Sequence, residues 1–287
     1  MSIYSPSKYF IVMRAQSNSL CITASRTYRI LKNGIFGIFF ICCLAQLNSF
    51  QGEAQEIHSA QELYDQGDYK QASLAAEKQN DLEGYGLAVR AALVYGGYVA
   101  RDIEAIQWLG RAERLSKIAM KMDGTAWRNR LSASLVIGYK AKKRHSVVLV
   151  NQAKILIEGL IADYPNEEMA HGALAGWHSE ISAAGFFPRL AFGASRELAG
   201  ENFKVARSLN DAKIPLNIEY AKYLARGDEN ERKSAGKILI TIIEAVPHDA
   251  FEQMLQGNAK KLLIALNSGK KQEIKTIIAE ISAFPDF

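Results

Sequence analysis

One three-position pattern recurs five times in this chain, and it constrains the fold more than any other feature. An alanine leads, and its partners follow four and seven positions later: Ala72–Ala76–Gln79, Ala105–Leu109–Ala112, Ala153–Ile157–Leu160, Ala199–Phe203–Ala206 and Ala235–Leu239–Ile242. Positions i, i+4 and i+7 share one face of an α-helix. The constant alanine predicts a close helix crossing that a larger side chain would push apart. Successive markers are 33, 48, 46 and 36 residues apart (105−72, 153−105, 199−153, 235−199). Pro165 and Pro247 each stand five residues beyond a set (165−160, 247−242). Proline cannot continue a helix interior, so each predicts a helix end. The stretch "DQGDYKQA", residues 65–72, then reads as the turn and second helix of a hairpin. Gly67 permits the tight turn, Tyr69 packs over it, and Ala72 allows the crossing.

The chain has 287 residues, 48% hydrophobic and 23% charged, which is a globular composition, and only 6 prolines, which favours helices. Helix pairs are predicted at 56–66 and 69–79, 83–97 and 102–118, 126–141 and 146–163, 167–184 and 196–209, and 215–226 and 231–245. Helices at 249–267 and 271–283 follow. The last carries Ile274, Ile277, Ile278 and Ile281 on one side, with Lys270, Lys271 and Lys275 opposite. It is expected to cap the exposed apolar end of a helical array. The tail "SAFPDF" is expected to fray.

These motifs resemble the tetratricopeptide repeat, a helix-turn-helix unit of about 34 residues. "LYDQGDYKQASLAAEKQ" is similar to its turn and second helix, "DYPNEEMAHGALA" to its proline boundary and next first helix, and "RGDENERKSAGKILITIIEAVP" to a unit with a lengthened turn. The resemblance covers roughly residues 56–260. It implies an all-α, tetratricopeptide-like solenoid of about five to six hairpins with a C-terminal capping helix. "GALAGWHSEISAAGFFPRLAFG" also resembles the regulator-of-microtubule-dynamics-like branch of these repeats, in which an aromatic segment follows a Trp-bearing helix. That implies an adaptor rather than a catalyst; it does not imply microtubules as the partner of an exported protein.

The N-terminus reads as a targeting segment. The first 52 residues contain no Asp or Glu, and Lys8, Arg14, Arg26, Arg29 and Lys32 precede the uncharged stretch Gly34–Leu47. That stretch is shorter than the roughly 20 apolar residues of a spanning helix. With the small residues Gly52 and Ala54 after it, the pattern is that of a secretory signal cleaved after Ala54. Residues 1–54 are then the targeting segment and 55–287 the helical domain, exported, and periplasmic in a bacterium. An uncleaved inner-membrane anchor through residues 34–47 and a mitochondrial presequence are the other readings. Met13 as an alternative start would shorten the basic flank. No Arg-Arg pair supports twin-arginine export.

Residues 1–54 hold five basic residues and one acidic one, so residues 55–287 hold 30 of the 35 basic and 29 of the 30 acidic residues, a net +1. Such a domain has no bulk charge calling for nucleic acid. Cys21, Cys42 and Cys43 all precede the expected cleavage site, which leaves no thiol or disulfide chemistry in a mature chain. Neither Cys42 nor Cys43 follows a small residue, as a lipoprotein site requires.

Catalytic signatures are absent from the sequence: no G-x-S-x-G, H-E-x-x-H, phosphate loop or dinucleotide fingerprint occurs. The expected function is therefore non-catalytic recognition, without cofactor, of a protein or peptide in a concave groove lined by first helices. Helix position nominates Tyr95, His171, Leu174, Trp177, His178, Tyr220 and Tyr223. The insertion "AAGFFPRLAFGASRE", residues 183–197, adds Phe186, Phe187 and Phe192, either lining that groove or tucked in as extra core. His171 and His178, seven apart, lack a third metal ligand in sequence, so groove or packing roles are expected. The run "YKAKKRH", residues 139–145, is read as a solvated turn or as a contact for anionic lipid or an acidic partner. "LVYGGYVARD" reads as a helix end with a flexible glycine stop. The rivals to the adaptor are a small-molecule carrier, which a narrow apolar pocket would favour, and a scaffold tethered by residues 34–47.

Overall fold

The computed structural model describes residues 59–287, and residues 1–54, where a targeting segment is expected, lie outside them. Thirteen α-helices follow one another: α1 Ala60–Asp65, α2 Tyr69–Gln79, α3 Leu82–Val94, α4 Asp102–Met122, α5 Trp127–Arg144, α6 Val147–Asp163, α7 Glu168–Ala183, α8 Phe186–Phe192, α9 Arg196–Leu209, α10 Ile214–Ala225, α11 Glu229–Glu244, α12 Ala250–Ser268 and α13 Lys271–Glu280. No strand occurs among the described residues, and the fold is all-α.

Local sequence explains where these helices start and stop. Ser59 and Asp228 form capping boxes with Glu62 and Glu231. Asp68, Asp81, Ser146, Ser195 and Asp249 each accept a backbone N–H three residues on, which satisfies a first-turn donor that has no partner within the helix. The prolines act as expected: α6 ends before Pro165 and α11 before Pro247. Gly67 joins α1 to α2 with φ +91°, and a Cβ there would lie 3.1 Å from the Ala250 Cβ. Both the turn and the approach of α12 therefore require glycine.

The marker positions fall where their spacing predicts. All fifteen are buried except Gln79, which is exposed. They lie on α2, α4, α6, α9 and α11, facing the first helices α1, α3, α5, α7 and α10 of their hairpins. The two long marker spacings have different origins. Between α4 and α6 the extra length is helix, since α4 has 21 residues and α5 has 18. Between α6 and α9 it is the inserted helix α8.

First helices also pack on first helices, α1 on α3, α3 on α5, α5 on α7, α7 on α10 and α10 on α12. The row then closes, because α12 packs back on α1 and its Ala250, Phe251 and Met254 join the core of the first two hairpins. One core belongs to α1–α4 with Val136 of α5, and another to α7 and α9–α13. The C-terminus joins both: Ile274, Ile278 and Ile281 seal the second, while Ala283 and Phe284 enter the first.

Several sequence expectations need correction. The tail does not fray, since Phe284 is 1% exposed. Tyr95–Val99 is not a flexible stop but a π-helical continuation of α3 with Gly96 and Gly97 buried. A Cβ on either glycine would come within 3.3 Å of Phe284 carbons, so the pair leaves room for that ring. Helix α4 runs on to Met122, and α5 runs on to Arg144. The basic run is thus the last turn of a helix, where its cations face the unpaired carbonyl end. The capping helix stops at Glu280. Residues 186–192 are helical rather than loop.

Candidate functional site

The enclosed face of the row of first helices is built around the C-terminal tail. Phe284 N–H donates to the Gly97 carbonyl at 2.7 Å. Lys142 Nζ, on α5, donates to the carbonyls of Ala283 at 3.2 Å and Phe284 at 2.8 Å. The Phe284 ring lies 4.8 Å from both the Tyr139 and the Phe287 rings. A seat for an aromatic ring, one main-chain acceptor and a lysine reaching two carbonyls are parts with which a protein can hold a short peptide turn, the form the tail takes here with Phe284 at φ +51°.

Charged groups from three first helices surround this segment. On α10, Lys222 is only 3% exposed, and its Nζ lies 2.8 Å from both carboxylate oxygens of Glu219. Arg226, one turn further on, donates to Glu180 Oε1 at 2.8 Å and Ser179 Oγ at 3.1 Å on α7. Glu180 keeps 53% of its side chain exposed; the desolvation it meets from surrounding protein would raise its pKa, but Arg226, Lys222 and Lys142 outweigh it and hold the carboxylate below its usual range. Lys142 is exposed as a residue, and partial desolvation of its ammonium lowers its pKa, with Glu180 opposing and Lys222 reinforcing. Burial, then Tyr139 and Glu219, push the Tyr98 phenol well above its usual value. Burial, then Glu219 and Glu180, raise Tyr139 likewise. Both phenols therefore stay protonated and neutral. These groups form a mutually compensated polar lining that donates and accepts hydrogen bonds at fixed positions.

A cavity of about 220 Å³ opens where the tail enters, between the π-helical segment, α12 and the end of α13. Tyr98, Arg101, Asn258, Lys261, Glu280 and Ser282 are among its lining residues, and Lys261 pairs with Glu280 at 2.7 Å. It is polar, unlike the narrow apolar pocket a carrier of apolar ligands needs.

The residues nominated from sequence do not meet at this face. Tyr95 packs on Trp108 and donates to Glu104 at 3.0 Å. His171 Nε2 lies 2.9 Å from the Pro165 carbonyl, within its own hairpin connection. Leu174 is buried. Trp177 donates to the Val150 carbonyl of α6 at 3.1 Å, and its neighbour His178 is buried with Ser195 N–H 3.4 Å from Nδ1. Tyr220 and Tyr223 pack on Phe203 of α9, with Arg207 and Arg196 over their rings. All these side chains face second helices or connections. The enclosed face is met by residues two or three positions along the same segments: Tyr98, Glu180, Glu219, Lys222 and Arg226. Phe186 and Phe187 project from α8 into solvent, and Phe192 is half-buried.

One signal for the missed residues was present. Helix α10 is buried nearly all round, from Ile214 to Ala225. Glu219, Lys222 and, just past its end, Arg226, at i, i+3 and i+7, form one charged stripe on a helix that is otherwise apolar apart from Asn217, which marks the side turned away from the packed core. Among the described residues, no group of three or more His, Cys, Asp or Glu is arranged to hold a metal ion. Comparison with protein-family models finds no match for this chain, and comparison with curated proteins finds none either.

Proposed function

We propose that the protein is a non-catalytic adaptor built of tetratricopeptide-like hairpins, whose inner face receives a short peptide turn carrying an aromatic anchor. The observation that carries this reading is the chain's own tail, held through Phe284, the Gly97 carbonyl and Lys142. The tail is held as a turn, with Phe284 at φ +51° and its carbonyl accepting from Phe287 N–H at 3.2 Å; a face that binds one such turn through a main-chain hydrogen bond, a lysine and a ring can bind another of the same chemistry, and the tail is then a resident occupant that a partner displaces. Export, with cleavage after Ala54, remains part of the proposal and rests on the N-terminal sequence alone.

The test is binding in trans. A chain ending at Ile281 should bind a labelled peptide of sequence SAFPDF saturably, and an alanine replacing the first of its two phenylalanines, the one matching Phe284, should weaken binding by about tenfold or more. The full chain should bind that peptide far less well, and full-length Phe284→Ala should regain binding. Failure of both the shortened chain and Phe284→Ala to bind, with their helical circular dichroism intact, would remove the peptide reading. A small polar ligand in the 220 Å³ cavity would then become the better account.

A further inference from the structure

A different surface, unrelated to the enclosed face, carries a second role. The geometry points to peripheral docking on an anionic lipid bilayer through the tips of the third and fourth hairpins. At the α5–α6 tip, the adjacent Val147 and Val148 are exposed, Val148 by 74%. At the fourth tip, α8 exposes Phe186, Phe187 and Leu190, Phe187 by 81%. Large apolar side chains exposed side by side are costly in water and mark an interaction surface.

The two tips share one edge of the molecule. Helices α5 and α7 are both first helices of the row, and their C-terminal ends lead into these tips. Trp177, midway along α7, donates to the Val150 carbonyl, near the start of α6, which ties the fourth hairpin to the third close to Val147 and Val148. Helix α8 is held at its exit: Ala194 is buried, its N–H bonds to the Arg189 carbonyl, and Ser195 N–H is directed at His178 Nδ1. The exposed rings therefore sit on a short helix anchored at its exit, with none of its own residues buried.

Charge selects the partner. From Gly124 to Ile157 the chain has no Asp or Glu, and from Ile181 to Arg196 it again has none. Exposed Arg144 and Arg189 flank the apolar side chains, with Arg189 over the Phe186 ring. Basic groups interleaved with aromatic and aliphatic ones match an anionic headgroup layer above hydrocarbon. The next tip, Asp228-Glu229 with Glu231 close behind, is acidic and has no such exposed apolar pair.

The experiment is co-sedimentation of the full chain with vesicles of equal parts phosphatidylglycerol and phosphatidylcholine, and with phosphatidylcholine alone. The double variant Phe187→Ser/Val148→Ser should partition about tenfold less onto anionic vesicles. Arg144→Glu/Arg189→Glu should lose binding on anionic vesicles alone. Insertion through residues 34–47 would be common to every variant, so contact is also read directly. In Phe187→Trp, the added emission should shift to the blue with vesicles and be quenched by lipids brominated in their acyl chains. An unshifted, unquenched residue 187 overturns the proposal. So does a wild-type dimer without lipid that Phe187→Ser/Val148→Ser converts to monomer, which would assign the surface to a second copy.

Discussion

Two short segments, each bearing phenylalanines and a proline, have opposite fates. Residues 282–287 end the chain, yet Phe284 is 1% exposed. Residues 186–192 lie in its middle, yet Phe187 is 81% exposed. Their compositions do not separate them; their destinations do. The tail reaches a place prepared by the rest of the chain, with two side-chain-free residues for the ring, a carbonyl for its N–H and a lysine for its carbonyls. Helix α8 emerges at a hairpin tip, where Phe186 and Phe187 meet chiefly each other and Arg189. Burial of a short aromatic segment is thus decided by distant groups rather than by its own hydrophobicity.

The contrast can be broken most directly by truncating each ring. Phe284→Ala should cost about 3–4 kcal/mol in urea unfolding, because it empties a filled site that the tail shares with Gly96, Gly97 and Tyr139. Phe187→Ala should stay within about 0.5 kcal/mol, as exposed positions do. Equal costs would erase the distinction.

Removing the prepared space should cost less. Gly97→Val places carbon where Ala283 and Phe284 already lie within 3.3 Å, and overpacking of this kind costs about 2 kcal/mol. A double variant with Phe284→Ala should recover part of that loss, since the two changes act on one contact.

Lys142→Met keeps the stem and deletes the donor to two carbonyls. A loss of about 1 kcal/mol is expected, with the tail made easier to cleave by carboxypeptidase.

The smallest effect belongs to the insert's anchor. Burial, then Lys154, hold the His178 imidazole below its usual pKa. The unfolded chain therefore takes up a proton that the folded chain resists, so stability is complete above the ordinary value of about 6.5 and falls as pH drops through it. Thermal melts on either side of that value should show a slope that His178→Gln reduces.

The helices were largely legible because their signals are local. An alanine set at i, i+4 and i+7, an Asp or Ser before the first turn and a proline after the last each act within a few residues. The enclosed face was harder to read. The pattern that finds helices marks the side turned to the partner helix, and so drew attention to Tyr95, His178, Tyr220 and Tyr223. The enclosed side of the same segments carries Glu180, Glu219, Lys222 and Arg226, which look like an ordinary solvated face until the row closes around them. The tail was illegible for a related reason, because its partners Gly96, Gly97 and Lys142 lie far earlier in the chain.

Hydrogen exchange at the Phe284 amide tests the central claim most directly. Its N–H is bonded to the Gly97 carbonyl inside the protein, so exchange should be slowed by orders of magnitude relative to the unfolded chain and restored toward that rate in Gly97→Val. Exchange at the unfolded-chain rate, while the α13 amides stay protected, would mean that the tail lies outside and that the enclosed face is not a peptide site.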